Sequence, residues 1–491
     1  MVVCLTFALL LVGVCINWAQ QGSATGEGEA PQYRTWTDTT GRYQVEAAMV
    51  RFERGKAYLL KRDGQTVALS PSKLSKSDQA YIRKELARRR AMESDRRPSP
   101  RDTTGVAADW PGWRGPLRDG KSPDKGLLKQ WPAGGPDLLW KLNDIGKGFS
   151  TVAVTGGTVY TTGDVGGRLV VFALDLDGKP RWKVDHDVAW TKSHAGSRST
   201  PTIDGGKLYV VSGNGLVGCY DASSGRPNWG KSLREFGGGV PTWGYAESVL
   251  IHEDLAIVTP GGGNCIVALN KSNGQPVWTS QGYQAGAQYG SCYAFTHQGV
   301  PMIVTGTSDG IVCVDAGNGR ILWSNPFSAR NTANCPTPVY SDGYVFWANG
   351  YGKGGICLKL AGGRGRVSAS PAWTTRDMVC HHGGYIVEDG YIYGNHGSGW
   401  VCLDLKTGRK MWEERAVGKG SICFADGMLY LFGESGGKAG LATCSPDGME
   451  MRGTFSVEGS GPSWAHPVVI GGRLYLRYDS NLYCYNVRAE S

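Results

Sequence analysis

The chain has 491 residues, 41% of them hydrophobic, with 74 glycines and a net charge of +9. That length and composition exclude a disordered chain and point to a folded multi-domain protein unusually rich in turns. The charge is local: residues 30–101 carry 17 Lys and Arg against 8 Asp and Glu, which equals the net charge of the whole chain.

Val2 to Ile16 is an apolar run of signal-peptide length, with Trp18-Ala19 and Gly22-Ser23-Ala24 offering cleavage sites. No Lys or Arg precedes it, and it is short for a membrane span. The reading is a leader over 1–24, a polar spacer over 25–32, and a mature chain in a periplasmic, secreted or other cell-envelope space.

A small module occupies 33–84. Val45 to Val50 and Ala57 to Lys61 read as strands, Arg62-Asp63-Gly64-Gln65 as a hairpin turn, and Thr66 to Leu69 as the return strand. Ser75 caps a closing helix that carries Asp78, Tyr81 and Ile82. Trp36, Val45-Glu-Ala47, Leu60-Lys61, Asp63-Gly64, Leu74-Ser75 and Tyr81-Ile82 together resemble the SLA homology domain, an SH3-like fold; the resemblance implies protein interaction at most, with a small structural β-module as the equal alternative. Residues 85–108 read as a basic, flexible, solvated linker, with contact of Arg83 to Arg101 to an anionic surface as the alternative. No nucleic-acid motif accompanies it.

From residue 109 onward the sequence repeats. A turn followed by a strand recurs at Gly157, Gly206, Asp254, Gly299, Gly343, Gly390, Gly427 and Gly472, spaced by 37 to 49 residues. That is the period of a four-stranded propeller blade. An offset series of Trp140, Trp182, Trp229, Trp278, Trp323, Trp373, Trp412 and Phe455 marks the outer strands. The offset is absorbed if Leu138 to Leu142 supplies the last blade's outer strand, closing the ring and removing free sheet edges. The expected fold is therefore all-β: an eight-bladed β-propeller over 109–491, preceded by the SH3-like module. Thirteen cysteines in an exported chain would suggest disulfides. Yet Cys219, Cys313, Cys357, Cys402 and Cys484 hold the same small-residue position of different repeats, too far apart to bridge.

In Ala268…Gly274…Trp278 and Cys402…Gly408…Trp412 a small residue, a glycine and a tryptophan keep one spacing, which lets an indole lie over a glycine. This register resembles the tryptophan-docking repeat of pyrroloquinoline quinone (PQQ) dehydrogenases and of the non-enzymatic BamB lipoproteins. Trp110-Pro-Gly-Trp113-Arg-Gly-Pro-Leu-Arg-Asp119-Gly is similar to the start of bacterial PQQ-like propellers.

The turns Gly-Gly, Asp-Gly and Thr-Gly on one face are explained by backbone geometry. The opposite loops collect the polar and aromatic residues: His194, Arg198, Trp243, Tyr245, Asn334, His381, His382, His396, Glu434, Trp464 and His466. These form the expected ligand or partner face, on a monomer that binds protein partners of the envelope. No metal is expected, since no pair of ligand motifs fixes a geometry, and no cofactor. The resemblance supplies the alternative, a PQQ-dependent oxidoreductase acting on an alcohol or sugar, with calcium. Trp243 or Trp464 would then stack the quinone and Asn334 or Glu434 would touch the cation. The vicinal cysteines and the aspartate base of those enzymes are missing, so a binding scaffold is the leading reading.

Overall fold

The computed structural model describes residues 33–53, 56–82, 85, 109–330, 332–363 and 366–490. The leader and spacer expected over 1–32 lie outside them, as does the basic run from Arg83 to Arg101 apart from Glu85. The chain divides into two units, Met1–Asp102 and Thr103–Ser491. Among the described residues no helix is long and apolar enough to cross a membrane.

In the first unit Tyr33–Thr37, Gln44–Glu53, Lys56–Lys61 and Thr66–Leu69 pair in sequence order as an antiparallel sheet. The first of these was not expected as a strand; its Trp36 pairs with Val45 and is buried against Ala47, Leu59 and Ile82. The expected turn forms, with Gly64 N–H donating to Lys61 O at 3.1 Å. Residues 76–82 are helical. Buried Asp78 ties this helix to the sheet by accepting from Arg34 at 2.6 Å, from the Thr37 N–H at 2.8 Å and from the Ser75 hydroxyl at 2.8 Å.

The second unit holds eight sheets among the described residues, one for each turn-and-strand copy in the sequence. Seven have four strands, and the seventh along the chain has five. Each alternates inward apolar residues tightly enough that the two middle strands are almost wholly buried, as in Arg168–Asp175 and Met428–Gly433. The expected closure is present. Leu138–Leu142 pairs antiparallel with Asn481–Asn486, setting Trp140 opposite Cys484.

The tryptophan register needs one correction. The small residue lies across the strand from its own tryptophan, as in Ala268 opposite Trp278. The glycine under the indole, however, belongs to the next sheet: Trp140 lies on Gly178, Trp182 on Gly225, Trp229 on Gly274, Trp278 on Gly319 and Trp373 on Gly408. The same next-sheet turns accept the indole N–H: Trp182 donates to Ala222 O at 3.1 Å, Trp278 to Ala316 O at 3.1 Å and Trp412 to Ser445 O at 2.8 Å. The docking therefore stitches neighbouring sheets, which spacing within one repeat does not reveal. Trp323 is the exception. The fifth sheet replaces the docking turn with a long hairpin, Gly354–Gly363 with Arg366–Thr375, and leaves the Trp323 N–H buried without an acceptor. The cysteines at the repeated small position are buried and free.

The segment from Trp110 to Ser122 crosses the axis. Trp110 bridges Val154, Pro111 O accepts from Ile203 N–H at 2.7 Å, and Arg118 donates to Ser248 O at 2.6 Å and Val249 O at 2.9 Å. Trp113 donates to Thr337 Oγ1 at 3.3 Å and Arg114 to Tyr385 O. Lys121–Ser122 then adds a parallel fifth strand beside Gly420–Ala425. Burial pushes the Arg114 and Arg118 guanidiniums down, Arg118 to about 10. Arg114 donates to the Arg118 and Asp119 carbonyls of its own segment as well as to Tyr385 O, and Arg118 uses both terminal nitrogens, with its Nε left without a partner.

Candidate functional site

Each inner strand is entered by a loop, and all eight loops reach one cavity of about 310 Å³ on the axis. Phe149 comes from the first loop, His194 and Arg198 from the second, and Trp243 from the third. Tyr289, Cys335, His381 with His382, Lys419 and Trp464 come from the fourth to the eighth in turn. Glu434 and Tyr351 arrive from the ends of second strands. The axial segment contributes Trp113 to the lining.

The wall is a chain of rings. Phe149 meets Trp464 at 4.8 Å, Trp464 stacks on His382 at 4.1 Å and 24°, His382 meets His381 at 3.7 Å, and Tyr351 sets its edge on His381 at 4.8 Å. Trp243 and Tyr289 form a further pair at 5.6 Å. Offset and tilted contacts of this kind add to apolar burial.

Charge enters at two points. Lys419 Nζ lies 3.0 Å from Glu434 Oε1 and 3.2 Å from His381 Nδ1, while His382 Nδ1 stands 3.6 Å from Glu434 Oε2. Burial works to raise the Glu434 carboxyl, but His382 and Lys419 outweigh it and hold it at about 2. Burial pushes the His381 ring down to about 3, with His382 and Lys419 adding to the effect, and lowers His382. Arg198, lowered to about 10 by burial, donates to Ser193 O at 3.1 Å and His194 O at 2.6 Å and lies over the Phe149 and Trp190 rings. With burial keeping His381 and His382 neutral, the cations lining the cavity with one carboxylate are Arg198 and Lys419, the latter paired with Glu434.

Of the eleven residues expected on this face, His194, Arg198, Trp243, His381, His382, Glu434 and Trp464 line the cavity. The other four do not. Tyr245 is buried, with its hydroxyl donating to Pro260 O at 2.9 Å. Asn334 is turned inward, donating to Gln288 Oε1 at 2.9 Å and accepting from Ala329 N–H at 3.0 Å. His466 packs beneath, edge-on to Trp113 at 4.6 Å and 3.0 Å from His382 O. His396 sits in a separate shallow groove with Glu413, Glu414 and Arg415, and its Nδ1 accepts from Val379 N–H at 3.2 Å. Phe149, Tyr351, Lys419 and Trp113 were missed. Phe149 stands four residues before its inner strand, as His381 and Trp464 do, and Lys419 directly before its own, a positional signal that could have found them.

The residues present do not fit calcium and a quinone. Calcium takes six to eight oxygens, whereas the one carboxylate lining this cavity is paired with the Lys419 ammonium at 3.0 Å. The Asn334 amide is used internally, and one face of Trp464 is covered by His382.

The ring of sheets and the axial cavity define a β-propeller of the PQQ-like class. A family model described as Outer membrane protein assembly factor BamB matches residues 169–414, and the chain belongs to that family. A model of SLA1 homology domain 1 matches residues 25–90. The outer membrane protein assembly factor BamB of Burkholderia pseudomallei (strain K96243) is 28% identical over 206 residues, 39% of this chain and 49% of its own length. The chain thus spans about half the length of that curated relative.

Among solved structures, BamB from Moraxella catarrhalis superposes with a TM-score of 0.54 at 16% identity, covering 72% of this chain and 98% of its own. The quinohemoprotein alcohol dehydrogenase of Comamonas testosteroni gives 0.57 at 14% identity, covering 78% and 81%. At those identities the likeness is one of fold.

Proposed function

We propose that this protein is a non-catalytic binding scaffold of the cell envelope, and that its axial cavity receives an aromatic side chain presented by a partner protein. The observation that carries the reading is the convergence of eight loops on an aromatic-walled cavity of about 310 Å³, a size suited to one ring system. Two cations against one carboxylate favour a guest with negative charge beside its ring. Support for a protein partner comes from the family, whose name is that of an assembly factor. The SH3-like module would supply a second contact, and two weak sites on one chain gain avidity that neither has alone.

The test uses full-length protein carrying a photocrosslinking residue at Tyr351, which is 55% exposed beside the cavity. Irradiation in envelope extract should yield a defined adduct, lost in Trp464→Ala. The same protein is incubated with PQQ and calcium and assayed for dye reduction with an alcohol panel. Stoichiometric quinone binding with turnover would overturn the scaffold reading in favour of the oxidoreductase.

A further inference from the structure

We propose that Cys335, His381 and His382 form a binding site for a thiophilic transition-metal cation of the zinc–copper class. The three residues offer one ligand atom each, and these atoms lie within 4.8 Å of one another. Cys335 comes from the loop entering the fifth sheet and the histidines from the loop entering the sixth, so two neighbouring sheets hold the cluster. No sequence spacing announces it, because the cysteine precedes the histidines by a whole repeat.

A second observation points the same way. His381 Nε2 is buried and has no hydrogen-bond partner, and the buried His382 Nδ1 has only Glu434 Oε2 near it, at 3.6 Å. One orphaned ring nitrogen is uncommon in a folded protein. One here, with a loosely held nitrogen on the adjacent ring and a cysteine beside both in a cavity wall, is what a set of ligands looks like without its ion.

The chemistry of the donor set selects the cation. Thiolate with imidazole favours zinc or copper over calcium and magnesium, which prefer oxygen. Three protein ligands in a cavity wall leave a coordination position facing the cavity, as in open zinc sites and unlike closed structural ones. Binding displaces the Cys335 thiol proton to solvent, and the thiolate offsets one of the two charges of a divalent ion or the whole charge of Cu⁺; Glu434 stays paired with Lys419. Lys419 opposes loading. It donates to His381 Nδ1, and a neutral ring accepting there carries its proton on Nε2. Ligation through Nε2 therefore requires Lys419 to give up that contact and remain on Glu434, already 3.0 Å away.

The experiment takes full-length protein stripped by a chelator and titrates it with Co²⁺. One equivalent should bind, giving a thiolate-to-cobalt charge-transfer band in the near ultraviolet and strong tetrahedral d–d bands, both erased by one equivalent of Zn²⁺. Cys335→Ser should abolish the charge-transfer band while retaining the wild-type melting profile. His382→Gln should weaken binding by more than about tenfold, the least that disturbing even an outer partner costs. X-ray absorption of the wild-type zinc form, which needs no variant, should show one sulfur and two imidazole scatterers. A charge-transfer band that persists in Cys335→Ser, an all-oxygen or all-nitrogen shell, or no stoichiometric binding would each overturn the proposal. A parallel anaerobic Cu⁺ titration tells which metal of the class binds more tightly. None of these readouts involves an aromatic guest, so this site and the scaffold reading fail or stand separately.

Discussion

Replacing Gly319 by alanine measures how much the inter-sheet docking contributes. Gly319 has φ +74°, and a Cβ built there would lie 2.4 Å from Cε3 and 2.9 Å from Cδ2 of Trp278. Two costs therefore add: about 1–2 kcal/mol for a left-handed alanine, and about 1–3 kcal/mol for forcing a well-packed indole aside. Gly427→Ala is the control. Its φ is +77° and its Cβ would meet nothing within 4 Å, so it carries the backbone cost alone. The loss of unfolded-chain freedom on going from glycine to alanine is common to both and cancels. The difference, about 1–3 kcal/mol, isolates the clash. Guanidinium unfolding followed by tryptophan fluorescence reads it well, since fifteen of the seventeen tryptophans lie beyond residue 109. Equal midpoint shifts for the two variants would refute the docking of each indole on the following sheet.

Three further outcomes are expected. Trp278→Phe should cost about 1 kcal/mol more than Trp323→Phe in the same unfolding assay, because only the first loses a bond, to Ala316 O, while the second removes an N–H that has no acceptor. Burial raises Glu247 from its ordinary 4.5 to about 7, so the fold loses stability as pH climbs through that window. Glu247→Gln can still accept from Thr259 N–H, and should gain up to roughly 3 kcal/mol over wild type at pH 8 and nothing at pH 4; thermal melts across pH check this. Finally, His382→Gln should reduce crosslinking through Tyr351, whereas His396→Gln, in its separate groove, should leave it unchanged.

The repeat was legible because a propeller writes its architecture locally. Each turn dipeptide and each outer-strand tryptophan is a short-range signal, and even the closing strand at Leu138–Leu142 follows from the offset between the two series. The direction of docking was not legible, because Trp278 over Gly319 and Trp278 over Gly274 differ only in which sheet comes next in space. The site divided along the same line. Residues four positions before an inner strand and long enough to reach the axis, such as His381 and Trp464, were found by position. Asn334 and Tyr245 stand one residue earlier, five before their inner strands, and their side chains turn into the fold, where a buried amide and hydroxyl find partners in Gln288 and Pro260. Cys335 stayed hidden for the opposite reason: nothing in its sequence neighbourhood shows that His381 lies beside it.

The axial segment explains why this cavity has a floor. A ring of sheets with short inner strands leaves a channel along its axis, and eight loops around an open channel would line a passage. Here Trp110 to Ser122 runs across it. Arg114 and Arg118 adopt φ of +60° and +55°, a conformation that side chains other than glycine seldom take. Their guanidiniums reach carbonyls in the sixth and third sheets, at Tyr385 and at Ser248 and Val249. Five-donor forks suit this task, because one guanidinium reaches two neighbouring carbonyls at once; Val249 O also accepts from Thr202 Oγ1 at 2.7 Å. The segment thus closes the channel with the same bonds that satisfy the sheet ends, and it carries Trp113 to the underside of the ring wall. Removing the Arg118 guanidinium would leave the Ser248 and Val249 carbonyls without these donors, and those residues directly follow the loop that carries Trp243. The shape of the cavity is in this way tied to the integrity of the plug, and the plug to sheets on opposite sides of the ring.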